Sequence, residues 1–101
     1  MRRDVFQAVA DPTRRNILSL LASKAMTPND IADHFDTSRQ AVSKHLQILA
    51  ECHAIDQRRT GREIYYYFNP KKMKEIDQWL DPFRKLWEDR LDQLDNILKD
   101  L

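Results

Sequence analysis

With 101 residues and a mass of 12.1 kDa, the chain fits a single domain; surface scaling gives ~6,000 Å² folded and ~17,500 Å² unfolded. One modest core is possible at that size, and a large enclosed active site is not expected. Apolar residues at 42% exclude general disorder, and a net charge of +1 excludes a global electrostatic pull toward nucleic acid.

No apolar run approaches the ~20 residues of a membrane span, so no membrane partner is expected. Met1-Arg2-Arg3-Asp4 leads into a polar, interrupted pattern rather than a secretory signal. Cys52 is the only cysteine and cannot form an internal disulfide, which fits a reducing, cytoplasmic setting. Charge is uneven along the chain. Residues 36–62 carry five basic and three acidic groups, whereas residues 81–101 carry four basic and six acidic, so a local basic patch is available.

A single glycine and four prolines leave little to interrupt helices. A short amphipathic segment, Val5-Phe6 to Val9, opens the chain. Asp11-Pro12 reads as N-cap and first helical position, because proline has no N–H to lose there. The second helix then runs to about Lys24, with Ile17, Leu18, Leu20 and Leu21 toward a core. Thr27-Pro28-Asn29-Asp30 starts a short third helix to about Phe35. Asp36-Thr37-Ser38 is a tight connection, and Thr37-x-x-Gln40 fits a capping box. The fourth helix covers about Ser38 to Cys52, with Ala41, Val42, His45, Leu46, Leu49 and Cys52 on its inner face.

The period then changes to two. Ile64, Tyr66 and Phe68 alternate with Glu63, Tyr65 and Tyr67, which predicts a β-hairpin turning near Thr60-Gly61. Threonine is poor at the positive φ of a two-residue type I′ turn, so a longer loop with Gly61 in the left-handed region is expected. Asn69-Pro70 starts a helix over 71–80 carrying Met73, Ile76, Trp79 and Leu80. Asp81-Pro82 repeats the start signal, and either divides off a last helix over 82–101 or kinks one long helix. Trp87, Leu91, Leu94, Leu98 and Leu101 form a heptad seam there.

The predicted fold is mainly α with a two-stranded β-hairpin wing: a winged helix-turn-helix whose terminal helices form a homodimer interface. One domain spans 1–101, with the helix-turn-helix over 28–52, the wing over 55–69 and dimerisation helices over 71–101.

On the fourth helix, Arg39, Gln40, Ser43 and Lys44 fall together on the polar side at 100° per residue. Arginine suits guanine edges, glutamine suits adenine, and serine or lysine serves bases or phosphates. Ser38 and His45 complete the candidate reader, although the angle of His45 turns it inward as a structural histidine. Arg58, Arg59 and Arg62 surround Gly61 on a projecting loop, suited to phosphates or the minor groove. Tyr65, on the outward strand face, is a candidate backbone contact. The plain alternative for each is a solvated surface.

A terminal helix bearing this much apolar surface needs a partner, and a second copy is the economical one. Val5, Phe6, Val9, Leu80, Phe83, Trp87, Leu91, Leu94 and Leu98 are its candidate interface; packing of the last helix on the first can coexist with it. Soft metal ligands are sparse. His45 and Cys52 are seven residues apart on one helix, ~10.5 Å along its axis and too far to share an ion. No phosphate loop and no nucleophile–base signature occurs, so an enzyme is not expected and no cofactor is implied.

Ala10-Asp-Pro-Thr-Arg-Arg-Asn-Ile-Leu18, Met26-Thr-Pro-Asn-Asp-Ile-Ala32, Ser38-Arg-Gln-Ala-Val-Ser-Lys-His-Leu46 and Gly61-Arg-Glu-Ile-Tyr-Tyr-Tyr-Phe68 together resemble the ArsR/SmtB family. The resemblance covers roughly residues 4–80. It implies a homodimeric bacterial repressor that binds double-stranded DNA through a winged-helix reader in each subunit, with the first and last helices forming the interface. The family's arsenic and cadmium sensors carry cysteines where this chain has Met26 to Asp30, and its zinc, cobalt and nickel sensors carry Asp and His pairs on the C-terminal helix, where residues 71–101 hold no histidine. The chain therefore resembles a branch without either usual metal site, as in SRPBCC-associated or SdpR-like members. Its inducer, a small molecule or a protein, is left unnamed. The rival readings are a metal-responsive repressor with atypical ligands and a winged-helix protein–protein module.

Overall fold

A side-chain cap opens each helix of the computed structural model, which describes residues 3–101. Asp4 accepts from the Gln7 amide at 3.0 Å to start α1 (Val5–Ala8), and Asp11 accepts from Arg14 at 3.1 Å to start α2 (Pro12–Ser23). Thr27 starts α3 (Pro28–Ala32) in the same way. Asp11, Thr27 and Asn69 each precede a proline at the first helical position, as the sequence predicts. The cap of α4 (Arg39–Glu51) lies one residue beyond the expected box: Ser38 Oγ, not Thr37, accepts from Ala41 N at 3.1 Å. Gln40 is thus not a box partner and its side chain faces outward.

The third helix ends at Ala32, earlier than expected, and relaxes through turn bonds from His34 to Ile31 and Phe35 to Ala32. At the end of α4, His53 takes φ 60 while its amide and that of Ala54 donate to Ala50 and Leu49 carbonyls. That is the Schellman pattern with histidine where glycine is usual.

The hairpin pairs β1 (Ile55–Thr60) with β2 (Glu63–Phe68) antiparallel, from Ile55 opposite Phe68 to Thr60 opposite Glu63. Its loop is shorter than predicted, Gly61-Arg62 alone. Thr60 stays in the strand, and only Gly61 takes the left-handed φ, at 65, as in turns with glycine first. Met26 adds a bridge to Tyr66, with bonds of 2.8 and 3.2 Å in the two directions. A lone bridge leaves no periodic pattern, which is why the sequence does not reveal it.

The core gathers Ala8, Ile17, Leu18, Leu21, Met26, Ile31, Val42, Leu46, Leu49, Cys52, Ala54 and Ile55. Arg14 donates to the Ala8 and Gln7 carbonyls and Arg15 to that of Val9, so two side chains of α2 satisfy the chain at the end of α1.

The last element is α5 (Pro70–Lys99), one unbroken helix of 30 residues with Pro82 inside it. Of the two readings the sequence leaves open at Asp81-Pro82, the structure takes the single long helix. Arg84 reaches back past Pro82 to both Asp77 and Asp81, bracing the turn where proline removes a backbone bond. At ~1.5 Å per residue, α5 is ~45 Å long, and none of its residues is buried. The chain accordingly measures 65 × 27 × 26 Å, with a radius of gyration of 18.2 Å, against ~13 Å for a compact chain of this length. Its surface of 7629 Å² exceeds the ~6,000 Å² of scaling.

Candidate nucleic-acid interface

The two sides of α4 separate cleanly. Val42, Leu46 and Leu49 are buried against the core, while Arg39, Gln40, Ser43, Lys44 and Gln47 line one open depression of about 730 Å³. The structure therefore brings together four of the predicted reader residues, and adds Gln47 from the next turn. The same 100° spacing places Gln47 on that side. Ser38 sits at the cap of the helix, its hydroxyl engaged by Ala41.

Neighbours pre-orient several of these side chains. Arg39 Nη1 donates to Asn29 Oδ1 on α3, which holds the guanidinium at the entrance of the reader. Gln47 Nε2 donates to Glu51 Oε1 at 3.3 Å, and Glu51 also receives Arg3 Nε at 2.7 Å. No carboxylate pairs with Lys44 among the described residues, so its ammonium is available to an anion.

His45 lies on the inner side, between Ala41 and Leu49. Its Nδ1 is buried without a hydrogen-bond partner, 3.9 Å from Asp11 Oδ2. Burial raises the Asp11 pKa, but the Arg14 amide and the charges of His45 and Arg14 outweigh it and hold the carboxyl below its usual range. His45 therefore faces α2 rather than the depression.

Side-chain alternation in the hairpin separates the three arginines. Asp56, Arg58 and Thr60 share a face with Glu63, Tyr65 and Tyr67; Gln57 and Arg59 share the other with Ile64, Tyr66 and Phe68. Arg58 and Arg59 thus leave opposite faces near the tip, and Arg62 occupies the loop. Arg58 lies 5.2 Å from the Tyr67 ring centroid, a cation–π pairing that stiffens it. Tyr65 Oη donates to Glu63 Oε2 at 2.8 Å, and this bond is the main cause that pushes its pKa up. Arg62, Glu63 and Ile64 line a hollow with Thr27, Pro28 and Asn29. Since Asn29 also holds Arg39, the wing loop and the start of the reader flank the same residue.

On the far side, Phe6 meets Trp79 edge-on at 5.5 Å, and Trp79 stacks obliquely on Phe83 at 4.9 Å. The last helix does pack on the first. Beyond that contact Phe83, Leu86, Trp87, Leu91, Leu94, Ile97 and Leu98 remain exposed. Val5 differs from its place in the predicted interface: it is 1% exposed, covered within the chain, and has no surface to offer a partner. Val9 and Leu80 are half-buried, Val9 against the core.

Among the described residues, no three His, Cys, Asp or Glu side chains gather as a metal site. Cys52 is fully buried, and burial pushes its thiol pKa up, which disfavours the reactive thiolate. No described helix is long and apolar enough to cross a membrane.

A short helix, a turn and a second helix with a polar outer face, followed by a cationic hairpin, define a winged helix-turn-helix DNA-binding regulator. A family model described as a helix-turn-helix domain matches residues 9–57, from the end of α1 into β1. Transcriptional repressor SdpR of Bacillus subtilis is 43% identical over 77 residues, 76% of this chain and 86% of that protein. A crystal structure of a possible transcriptional regulator for arsenical resistance superposes with a TM-score of 0.71 at 39% identity, covering 87% of this chain and 88% of its own. An ArsR-like transcriptional regulator from Rhodococcus sp. RHA1 gives a TM-score of 0.71 at 31% identity, covering 92% and 88%. The chain belongs to the ArsR/SmtB family of DNA-binding transcriptional regulators, and is not an enzyme.

Proposed function

We propose that the chain is a homodimeric cytoplasmic repressor that binds an inverted-repeat operator without sensing metal, and blocks a promoter by occupying it. The observation that carries this reading is the division of α4, apolar side fully used inside the chain and polar side left open around Arg39, Gln40, Ser43 and Lys44. In a two-fold dimer these helices would enter successive major grooves, ~34–36 Å apart. Arg39 and Gln40 read base edges, and Ser38, Ser43 and Lys44 fix the helix on base edges and phosphates. Arg58, Arg59 and Arg62 hold the flanking backbone from several sides, with Tyr65 beside them. His45 acts from inside, seating α4 on the N-terminus of α2. The exposed seam of α5, with Phe6, supplies the dimer contact.

The test uses the duplex enriched by the chain from a random pool, titrated across a salt series. Arg39→Ala is expected to cost about 1–3 kcal/mol on that duplex and to relax one position. Arg62→Ala is expected to weaken every sequence alike and to flatten the salt slope by about one unit. Equal losses from both variants on enriched and random DNA would remove base reading from Arg39. A chain that enriches nothing and shows no salt-dependent binding would be the protein–protein module instead.

A further inference from the structure

A hollow of about 310 Å³ lies where α2, the end of β2 and the first turns of α5 meet, away from the reader. Leu18 and Ala22 of α2, Phe68 of β2, Met73 of α5 and Val9 form its apolar lining, and Arg15 stands among them. Its volume is at the small end of the ~300–1,000 Å³ typical of ligand pockets. Arg15 is anchored by one donor only, Nη1 to the Val9 carbonyl at 2.8 Å. It makes no ion pair among the described residues, so its charge is not neutralised by a carboxylate of the chain. A mostly apolar recess, with Ser19 in its wall and the exposed, unneutralised guanidinium of Arg15 at its edge, is complementary to a small carboxylate with an apolar body. The guanidinium fork matches a carboxylate in geometry as well as charge.

We propose that this hollow is a binding site for a small amphiphilic monocarboxylate, of the medium-chain or arylalkanoic acid class, and that it is the inducer site of the regulator. The second half rests on the proposed repressor function; the first does not. The carboxylate pairs with the free edge of Arg15, and the apolar body enters between Leu18, Phe68 and Met73. Its walls belong to the helix that supports the reader and to the first turns of the helix that carries the exposed seam. An occupant separates Met73 from Leu18, and so changes the angle at which α5 leaves the reader. In a dimer held by α5, that angle sets the spacing of the two α4 helices, and a changed spacing favours release of DNA.

Sodium octanoate is the probe, with octanol and octylammonium as matched controls, followed by methyl NMR of the full chain. Octanoate is expected to give saturable shifts confined to the methyls of Val9, Leu18, Ala22 and Met73. Arg15→Gln is expected to weaken it at least ~10-fold, with partial recovery in Arg15→Lys. Octanol binding as tightly as octanoate, or shifts spread over the α5 seam, would overturn the carboxylate assignment. The same methyls shifting on dilution alone would show that a second copy fills the hollow, and would overturn it too. DNA binding by the unliganded chain is measured beside it. Normal DNA binding with no octanoate shifts refutes only this site; absent DNA binding with intact octanoate shifts refutes only its regulatory role.

Discussion

Helices α4 and α5 carry similar apolar stripes and use them in opposite ways. In α4, Val42, Leu46 and Leu49 are 1%, 2% and 0% exposed, and what faces water is polar. In α5, Leu91, Leu94 and Leu98 are 60%, 50% and 56% exposed, in a helix that extends well beyond the core. Around the reader the single chain is complete. Along α5 it leaves Phe83, Leu86, Trp87, Leu91, Leu94, Ile97 and Leu98 exposed, the kind of apolar surface that marks an interaction site. One helix has spent its apolar side within the chain and turns a polar, charged face outward; the other leaves its apolar side uncovered.

Three experiments put this difference to the test. The double change Leu91→Asp with Leu98→Asp places unpaired charges in the proposed seam. It is expected to raise the dimer dissociation constant at least ~1,000-fold, or ~4 kcal/mol, in sedimentation equilibrium, while circular dichroism shows the core still folded. A dimer that survives it would place the interface elsewhere.

The next effect is one of stability. Leu49→Ala should cost about 2–5 kcal/mol in denaturant unfolding, since its side chain is fully enclosed. Leu91→Ala, measured where the chain is dispersed as single copies, should stay within about 0.5 kcal/mol. Similar losses from both would mean that α5 is buried in the isolated chain.

The smallest effect concerns the seat of α4 on α2. The Asp11 carboxyl is held below the ordinary aspartate pKa of ~3.9 in the folded chain. Its charge therefore stabilises the fold above that pH, and the contribution is lost as pH falls through the depressed value. Asp11→Asn keeps a good cap but removes the charge next to the helix start and His45. The variant is expected to be about 0.5 kcal/mol less stable at pH 7, with the deficit shrinking as the pH falls through the depressed pKa of Asp11. A difference that persists in acid would assign the effect to the cap rather than to charge.

Much of this was legible in the sequence because it depends on local chemistry. Asp11-Pro12, Thr27-Pro28 and Asn69-Pro70 announce helix starts, and the change of period at Ile64 announces the hairpin. The reader face follows from helical angle alone, and the inward turn of His45 with it. The failures and the open choice occur where tertiary context overrides or settles a local signal. Pro82 alone leaves a divided and a continuous helix equally open; the contacts of Arg84 with Asp77 and Asp81 accompany the continuous one. Thr60 looks misplaced in a tight loop, yet pairing with Glu63 keeps it in the strand. Val5 looks like interface because nothing in the sequence reveals that it is already covered. Neither the Met26–Tyr66 bridge nor the hollow beside Arg15 has any periodic trace.

In the proposed assembly two copies, joined through α5, present their α4 faces to one stretch of duplex. Sedimentation of the chain with the enriched duplex, combined with hydroxyl-radical footprinting, tests it most directly. Two chains per duplex and protection with two-fold symmetry, its halves centred ~34–36 Å apart, is the predicted result. One chain per duplex, or a single unpaired zone of protection, would contradict it.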